Sequence, residues 1–234
     1  MAQKPVDSIL KLEKKIGVEF DNKDLLRHAL VHRSYLNENP EFHLKDNERL
    51  EFLGDAVLEM AVTEYLYSNY PNPEGDLTNW RSALVNTKML SKIASKLGIN
   101  NHLLLSRGEE KDTGRARQCI LANAMEALIG AIFLDRGYQK AAEVIQREIL
   151  GELPHIIKQK LYRDPKSRFQ EKAQDIAGIT PNYEVIREWG PDHAKSFIIG
   201  VYLGKELVAE GEGVSKQEAQ EKAAEAGLEK KGWK

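Results

Sequence analysis

The spacing of hydrophobic residues changes once along this chain of 234 residues. From residue 6 to residue 150, apolar residues recur every three or four positions, which is typical of amphipathic helices, and no stretch alternates strictly. After residue 164 the pattern becomes a helix, three segments suited to strands and a second helix. The sequence therefore predicts two domains, an all-α domain at 1–150 and an α-β-β-β-α domain at 164–234, joined by a linker at 151–163.

Capping residues and glycines set the expected ends of these elements. In the first domain we expect helices at about 9–16, 23–35, 48–69, 76–98, 118–135 and 139–150, with a surface loop at 106–117. In the second we expect helices at 166–177 and 216–228 around strands at 182–189, 195–203 and 205–210. Ser215 and Glu218 have the spacing of a capping box, which sets the start of the last helix. Ile176 and Val185 are expected to face the core.

The composition is that of an ordinary globular protein, with 41% hydrophobic and 30% charged residues. The longest uninterrupted apolar runs fall far short of the ~18 residues of a membrane span, and the start lacks a secretory pattern. Cys119 is the single cysteine, so no internal disulfide can form. We interpret Cys119 as a small core residue and expect a cytoplasmic protein. The histidines form no zinc-binding pattern.

The net charge does not indicate a nucleic-acid binder. The whole chain carries a formal charge of -2, and the region from Asp164 to Lys234 holds eleven Lys and Arg against thirteen Asp and Glu. Domains that bind nucleic acid are typically basic. Any binding of a polyanion must therefore depend on local patches of positive charge.

Residues 47–59 carry the strongest functional pattern, Asn-Glu-Arg-Leu-Glu-Phe-Leu-Gly-Asp-Ala-Val-Leu-Glu. At about 100° per residue on a helix, Glu48, Glu51 and Asp55 share one face. The opposite face is apolar and comprises Leu50, Leu53, Val57, Met60 and Ala61. Three acids at this spacing are more often a solvated face, but they also suit a hard cation such as magnesium. Gly54 inside the helix indicates close approach of another backbone or a ligand.

A second segment, Leu121–Gly130, supplies a partner for these acids. It is an apolar helix whose only polar residues, Asn123 and Glu126, are three positions apart and therefore adjacent on its surface. A glutamate in so apolar a segment is rarely buried without a partner. If the two helices face each other, Asn123 and Glu126 join the three acids in one oxygen-rich pocket.

In these two motifs the sequence resembles the ribonuclease III family. The stretch Asn47–Leu58 is similar to that family's signature. The likeness continues in the expected order through Ala29–Ser34, Glu74–Thr78, Leu84–Asn86, Arg107–Glu110 and Glu126–Gly130, and it covers essentially the whole chain. The resemblance implies a homodimeric endonuclease for double-stranded RNA that depends on magnesium, with manganese able to replace it. It also implies staggered products with 5′-phosphate and 3′-hydroxyl ends, from precursors of ribosomal RNA and other structured RNA.

The resemblance assigns roles to the residues of the two motifs. Asp55 and Glu126 match the catalytic acids of the family. The metal ligands it implies are Glu51, Asp55, Asn123 and Glu126, with Glu48 as a supporting acid. Position 123 is usually Asp in this family, so Asn123 removes one negative charge from the expected metal site.

The second domain resembles a double-stranded-RNA-binding domain. The segment from Gly213 to Lys216 is similar to that domain's most diagnostic motif, and amides at a helix start next to a lysine suit a phosphate. By resemblance, three regions contact RNA: the first helix, the loop before the second strand, and the start of the last helix. Their candidate residues are Gln170, Glu171, Gln174, His193, Ser215 and Lys216.

Asn123 leaves a second interpretation open. A chain with an amide at this position could bind double-stranded RNA and cut it poorly, because an amide oxygen can ligate a cation without adding charge. A nucleotide cofactor is not expected, because the Gly-x-Gly segment lacks the spacing of a nucleotide-binding loop. A membrane is not expected as a partner either.

Overall fold

The computed structural model describes residues 6–162, 164–191 and 195–233 and divides the chain into two compact units, Met1–Tyr162 and Arg163–Lys234. The first unit is helical. Its helices are α1 (Val6–Ile16), α2 (Lys23–Ala29), α3 (Arg33–Glu38), α4 (Glu48–Asn69), α5 (Glu74–Val85), α6 (Thr87–Lys96), α7 (Arg107–Lys111), α8 (Arg115–Glu148) and α9 (Leu153–Gln159). Within its described residues, the extended pairing is limited to the isolated bridge between Val31 and Leu104, so the expected all-α class is confirmed.

Helices α4 and α8 form the centre of this unit. Nearly every residue of α8 from Ile120 to Ile132 is buried, and α4 adds buried apolar residues along its length, Leu50, Val57, Leu58, Ala61, Val62 and Leu66. The stretch Arg115–Gln159 contains a window with mean hydropathy of 1.4, which by length and composition alone could cross a membrane. Because 61% of that window is buried inside the protein, its hydropathy is explained by its place in the core.

The structure divides two of the helices that the sequence predicts, one at a long-range contact and the other at a local cap. The helix expected at 23–35 is divided into α2 and α3, because His32 donates its backbone N–H to Leu104 (3.1 Å) and Leu104 donates to Leu30 (2.8 Å). The helix expected at 76–98 is divided into α5 and α6 at Asn86, whose side chain accepts from the backbone N–H of Met89. The loop expected at 106–117 contains the short helix α7.

The segment 151–163, expected as a linker, mostly belongs to the first unit. Leu153 and Ile156 of α9 are buried in its core. The ring of Tyr162 lies edge-on to Trp80, with 6.0 Å between the ring centroids. The apolar residues of this segment therefore extend the first domain past residue 150.

The second unit has the expected order of one helix, three strands and one helix. Its elements are α10 (Pro165–Ala177), β1 (Asn182–Trp189), β2 (Ser196–Leu203), β3 (Glu206–Gly213) and α11 (Lys216–Lys231). The strands form an antiparallel sheet in the order β1-β2-β3. One face of β2, formed by Phe197, Ile199, Val201 and Leu203, is buried with Phe169 of α10 and Leu228 of α11.

Several side chains differ in burial from the sequence prediction. Cys119 is exposed and is not a core residue. Met60 and Ile176, both expected to face a core, are 60% and 61% exposed, and Val185 is exposed as well. Helical spacing and strand alternation define a face, but they do not define how much of that face a neighbouring element covers.

Candidate active site and RNA-binding surface

Two glycines bring the backbones of α4 and α8 into direct contact. A Cβ atom on Gly54 would lie 1.7 Å from the carbonyl oxygen of Glu126, and one on Gly130 would lie 2.3 Å from that of Leu50. No residue with a side chain fits such a contact. The sequence expectation that Gly54 marks a close approach of another backbone is therefore confirmed, and the approaching backbone is that of Glu126.

Asn47 fixes the start of α4, a role that the sequence analysis missed. It is buried, its side-chain amide donates to the carbonyl of Ala29 (3.0 Å), and its backbone N–H donates to Val31 (2.9 Å). His28 adds a hydrogen bond from Nε2 to the carbonyl of Asp46 (2.7 Å). These bonds fix the direction in which the first turn of α4 presents its acids. Asn47 stands at the cap position of α4, but its side chain makes no capping bond there, and its burial depends on the distant segment 28–31.

The side chains of Glu51 and Asn123 meet across the two helices. The Asn123 amide acts on the Glu51 carboxylate as a hydrogen-bond donor, because its presence lowers the pKa of that group. Burial raises the pKa of Glu51, and the negative charges of Glu48 and Asp55 raise it further, while the hydrogen bond from Asn123 opposes the shift. The expected contact between the two motifs is therefore present in the fold.

Glu126 is the most perturbed carboxyl group of this cluster. Burial is the main cause that raises its pKa to about 7, and the charges of Asp55 and Glu51 add to the effect. A carboxylate with such a pKa is destabilised by its surroundings and is stabilised by any added positive charge. Perturbed groups of this kind concentrate at functional sites.

Glu48 and Asp55 occupy the exposed margin of the same cluster. Glu48 forms an ion pair with Arg33 (Nη1–Oε1, 3.3 Å), and both side chains are largely exposed. Arg33 belongs to the motif Ala29–Ser34, and its pairing with Glu48 was not predicted. Asp55 is exposed, one helical turn beyond Glu51 on α4.

The donor set of this cluster fits a hard divalent cation by its chemistry. Three carboxylates and one amide supply only oxygen ligands, which suit magnesium or manganese. Among the residues that the structure describes, no three His, Cys, Asp or Glu side chains converge closely enough to hold a metal ion. Burial is the main cause of the raised pKa values of Glu51 and Glu126, and the negative charges of the neighbouring acids add to it. The residues that could hold the cation are Glu51, Asp55, Asn123 and Glu126.

The candidate RNA contacts of the second unit lie on α10 and at the start of α11. Gln170, Glu171 and Gln174 are exposed on one face of α10 and line a shallow cavity of about 520 Å³. Lys216 is exposed at the first position of α11, with its Nζ 5.8 Å from the centroid of the Phe197 ring. His193, the candidate of the intervening loop, lies outside the described residues.

The cap predicted at Ser215 is confirmed, and the return bond of Glu218 reaches the residue before Ser215. The Ser215 hydroxyl accepts from the backbone N–H of Glu218 (3.2 Å), and the Glu218 carboxylate accepts from the backbone N–H of Val214 (3.1 Å). The carboxylate of Glu218 therefore already takes up one backbone N–H group beside the start of α11. Attraction for a phosphate here depends on Lys216 more than on free backbone amides.

Comparison with known proteins identifies the family. The family model described as "Ribonuclease-III-like" matches residues 22–153, and the model of the double-stranded RNA binding motif matches residues 165–231. A protein of Syntrophobacter fumaroxidans named Ribonuclease 3 is 42% identical over 232 residues, which cover 97% of this chain and 96% of the relative. The chain belongs to the ribonuclease III family.

Further relatives agree with this membership. A Ribonuclease 3 of Campylobacter jejuni is 44% identical and covers 96% of this chain and 98% of its own length. The solved nuclease domain of ribonuclease III from the same organism has a TM-score of 0.56 and 44% identity, and covers 62% of this chain and 99% of that domain. As a member of the ribonuclease III family, the chain is an endoribonuclease that carries a double-stranded-RNA-binding domain.

Proposed function

We propose that this chain cleaves double-stranded RNA in a magnesium-dependent reaction and that manganese can replace magnesium. The observation that carries the proposal is the acid cluster across the glycine contact of α4 and α8. Burial and mutual repulsion raise the pKa of Glu51 and, to about 7, that of Glu126, so both carboxylates gain from a bound cation. A cluster of carboxylates whose charges destabilise the fold without a cation, and whose oxygen ligands suit one, is a candidate metal centre.

The proposed chemistry is hydrolysis of a phosphodiester. When bound, magnesium supplies the positive charge that activates water and stabilises the leaving 3′-oxygen. Glu51, Asp55 and Glu126 hold it with negative charge, and Asn123 contributes its amide oxygen. Glu48 supports the cluster from its exposed margin. We expect products with 5′-phosphate and 3′-hydroxyl ends.

We propose that the nuclease domain forms a homodimer. Phe52, Met60 and Tyr67 lie within about a quarter turn of one another on α4 and are 81%, 60% and 82% exposed. Exposed apolar stripes of this kind mark interaction surfaces. The nuclease domain from Campylobacter jejuni is described as having a region involved in dimer formation. A two-fold dimer places two acid clusters in one enzyme, one for each RNA strand, which gives staggered ends.

The second domain supplies the proposed preference for RNA. The exposed face of α10 and the start of α11 can contact an A-form duplex by its groove shape and 2′-hydroxyl groups. Because this domain is not basic overall, binding depends on few phosphate contacts, such as that of Lys216. We further propose that the natural substrates are structured RNAs, including precursors of ribosomal RNA, and that the enzyme acts in the cytoplasm.

The rival function is an RNA-binding protein that cuts poorly. The observation that favours it is the neutral Asn123, whose amide donates to Glu51 where a carboxylate would add charge. The two functions differ in the magnesium concentration that cleavage requires, because a weaker site can be filled by excess cation.

The test is cleavage of a long end-labelled RNA duplex with excess magnesium or with a chelator. Asp55→Asn and Glu126→Gln keep the shape of the site and remove charge, so cutting should fall at least about 100-fold while RNA retention in a gel shift survives. Glu19→Gln, an exposed glutamate of the same domain, is the matched control. Susceptibility of the products to a 5′-phosphate-dependent exonuclease checks the proposed ends. Near-normal cutting by either site variant would contradict the assignment.

A further inference from the structure

The sheet of the second domain has an outer face that α10 and α11 do not cover. The buried side chains of β2 point towards the helices, so the alternating residues Ile198, Gly200 and Tyr202 point outwards. Their cross-strand partners share that face: Asn182, Glu184 and Arg187 on β1, and Leu207, Glu210 and Glu212 on β3.

An apolar cluster occupies the centre of this outer face. A Cβ atom on Gly200 would lie 2.7 Å from Cδ1 of Leu207 and 2.9 Å from both Cδ1 of Ile186 and Cε2 of Tyr202. These side chains therefore meet above the glycine. Ile186 and Leu207 remain 44% and 38% exposed. A two-sided antiparallel sheet ordinarily presents polar residues to water, so grouped aliphatic side chains here indicate a contact surface.

Unpaired carboxylates border this cluster on both sides. Glu184 and Glu210 are the register partners of Gly200 on the two outer strands, so their Cα atoms are about 10 Å apart. Glu212 lies opposite Ile198. Glu184 accepts a hydrogen bond from the Asn182 amide, and within the described part of the chain no ion pair involves Glu184, Glu210 or Glu212.

Among the described residues of this face, the cationic side chain is that of Arg187, and it is engaged elsewhere. The guanidinium of Arg187 lies 5.4 Å from the centroid of the Trp189 ring, at the end of β1. The face therefore combines aliphatic side chains with uncompensated negative charge. Such a surface repels phosphate, whereas the candidate RNA contacts lie on the helical side of the domain.

We propose that the outer face of this sheet binds a basic, aliphatic segment of a partner protein. One Lys or Arg of that segment lies above Gly200 between the carboxylates of Glu184 and Glu210. Its aliphatic neighbours cover Ile186 and Leu207. Complementary charge fixes the position of the segment, and apolar contact supplies the rest of the affinity. The domain then holds RNA on one side and a protein on the other.

The experiment measures binding of a defined probe to the full-length protein. The probe is a fluorescein-labelled 12-residue peptide of Lys, Leu and Gly, read by fluorescence polarisation. A peptide of equal charge that has Gly in place of Leu tests the apolar contact. The variant Glu184→Gln/Glu210→Gln should weaken binding of the Lys/Leu peptide roughly tenfold, because two surface ion pairs are lost.

The matched control is Glu225→Gln/Glu229→Gln, which removes the same charge from two exposed positions of α11. This control should bind the peptide as the wild type does, and both double variants should shift an RNA duplex normally. Equal peptide binding by the two double variants would overturn the proposal. Equal binding of the Lys/Leu and Lys/Gly peptides would overturn it too, as would loss of RNA binding in Glu184→Gln/Glu210→Gln.

Discussion

Removing the charge of Glu126 should make the metal-free protein more stable while it impairs catalysis. The pKa of this carboxyl group is raised from 4.5 to about 7, chiefly by burial and then by Asp55 and Glu51. A raised pKa means that the fold favours the protonated form. The resulting stabilisation is fully present below pH 4.5 and is lost as the pH rises through about 7. At pH 8 the wild type therefore holds an unfavourable charge that Glu126→Gln lacks.

The size of the effect follows from the two pKa values. Each pKa unit corresponds to about 1.4 kcal/mol, so the ionised carboxylate lowers the free energy of unfolding by up to roughly 3 kcal/mol at pH 8. Relaxation of the side chains and entry of water reduce this value. At pH 5 the difference should fall below about 1 kcal/mol, because Glu126 is then protonated in the folded protein and the pH is only slightly above the ordinary value of 4.5.

The assay is urea unfolding at pH 5 and pH 8 in the presence of a chelator, at fixed protein concentration. Glu126→Gln should exceed the wild type in free energy of unfolding by up to roughly 3 kcal/mol at pH 8 and by less than about 1 kcal/mol at pH 5. Glu19→Gln, an exposed glutamate, should match the wild type at both values. If Glu126→Gln is no more stable at pH 8, or gains equally at both pH values, the penalty inferred for the ionised Glu126 carboxylate is wrong.

Three further predictions follow from the site and the domain organisation. Asn123→Asp adds a charged ligand, so half-maximal cutting should need less magnesium, with a smaller change in the cutting rate at saturating magnesium. If the magnesium titrations of the wild type and Asn123→Asp coincide, Asn123 is not part of the metal site. Gly54→Ala should lower the free energy of unfolding by about 3 kcal/mol or more, because its Cβ would lie 1.7 Å from the Glu126 carbonyl oxygen, whereas Gly75→Ala, with open space around it, should not. A chain that ends at Asp164 keeps the acid cluster and should still cut RNA at low salt. As salt is raised, it should lose activity at a lower salt concentration than the full chain does. A folded, dimeric truncation that is inert at low salt would contradict this.

Local sequence signals predicted which segments are helices and strands, but not where distant contacts interrupt them. The capping signal at Ser215 depends on neighbours within a few residues, and the structure has it. The alternation predicted for β1 is not kept, because the register shifts between Val185 and Arg187 and Val185 is exposed. The break at His32 depends on Leu104, more than 70 positions away. No periodicity within 23–35 encodes such a contact, so the two helices were predicted as one.

The same distinction applies to the candidate site. Helical spacing grouped Glu51 with Asp55 and Asn123 with Glu126, and the glycine in the signature indicated close contact. Burial of Asn47 and the ion pair of Arg33 with Glu48 require knowledge of how segment 28–34 lies against α4, which spacing does not supply. Cys119 was placed in the core as a small residue, but it lies on an exposed part of the first turns of α8.

The contact of Gly54 and Gly130 makes the separation of the two acid-bearing helices a property of the main chain. Elsewhere in a core, one residue can be replaced by a smaller one while its neighbour is replaced by a larger one, and the distance between helices can change as such substitutions accumulate. Here no side chain lies between the two backbones, so no pair of substitutions can change the distance between the helices. Direct backbone contact sets the distance between the helices. The spacing of the acids should therefore stay the same even when many of the surrounding apolar residues are substituted.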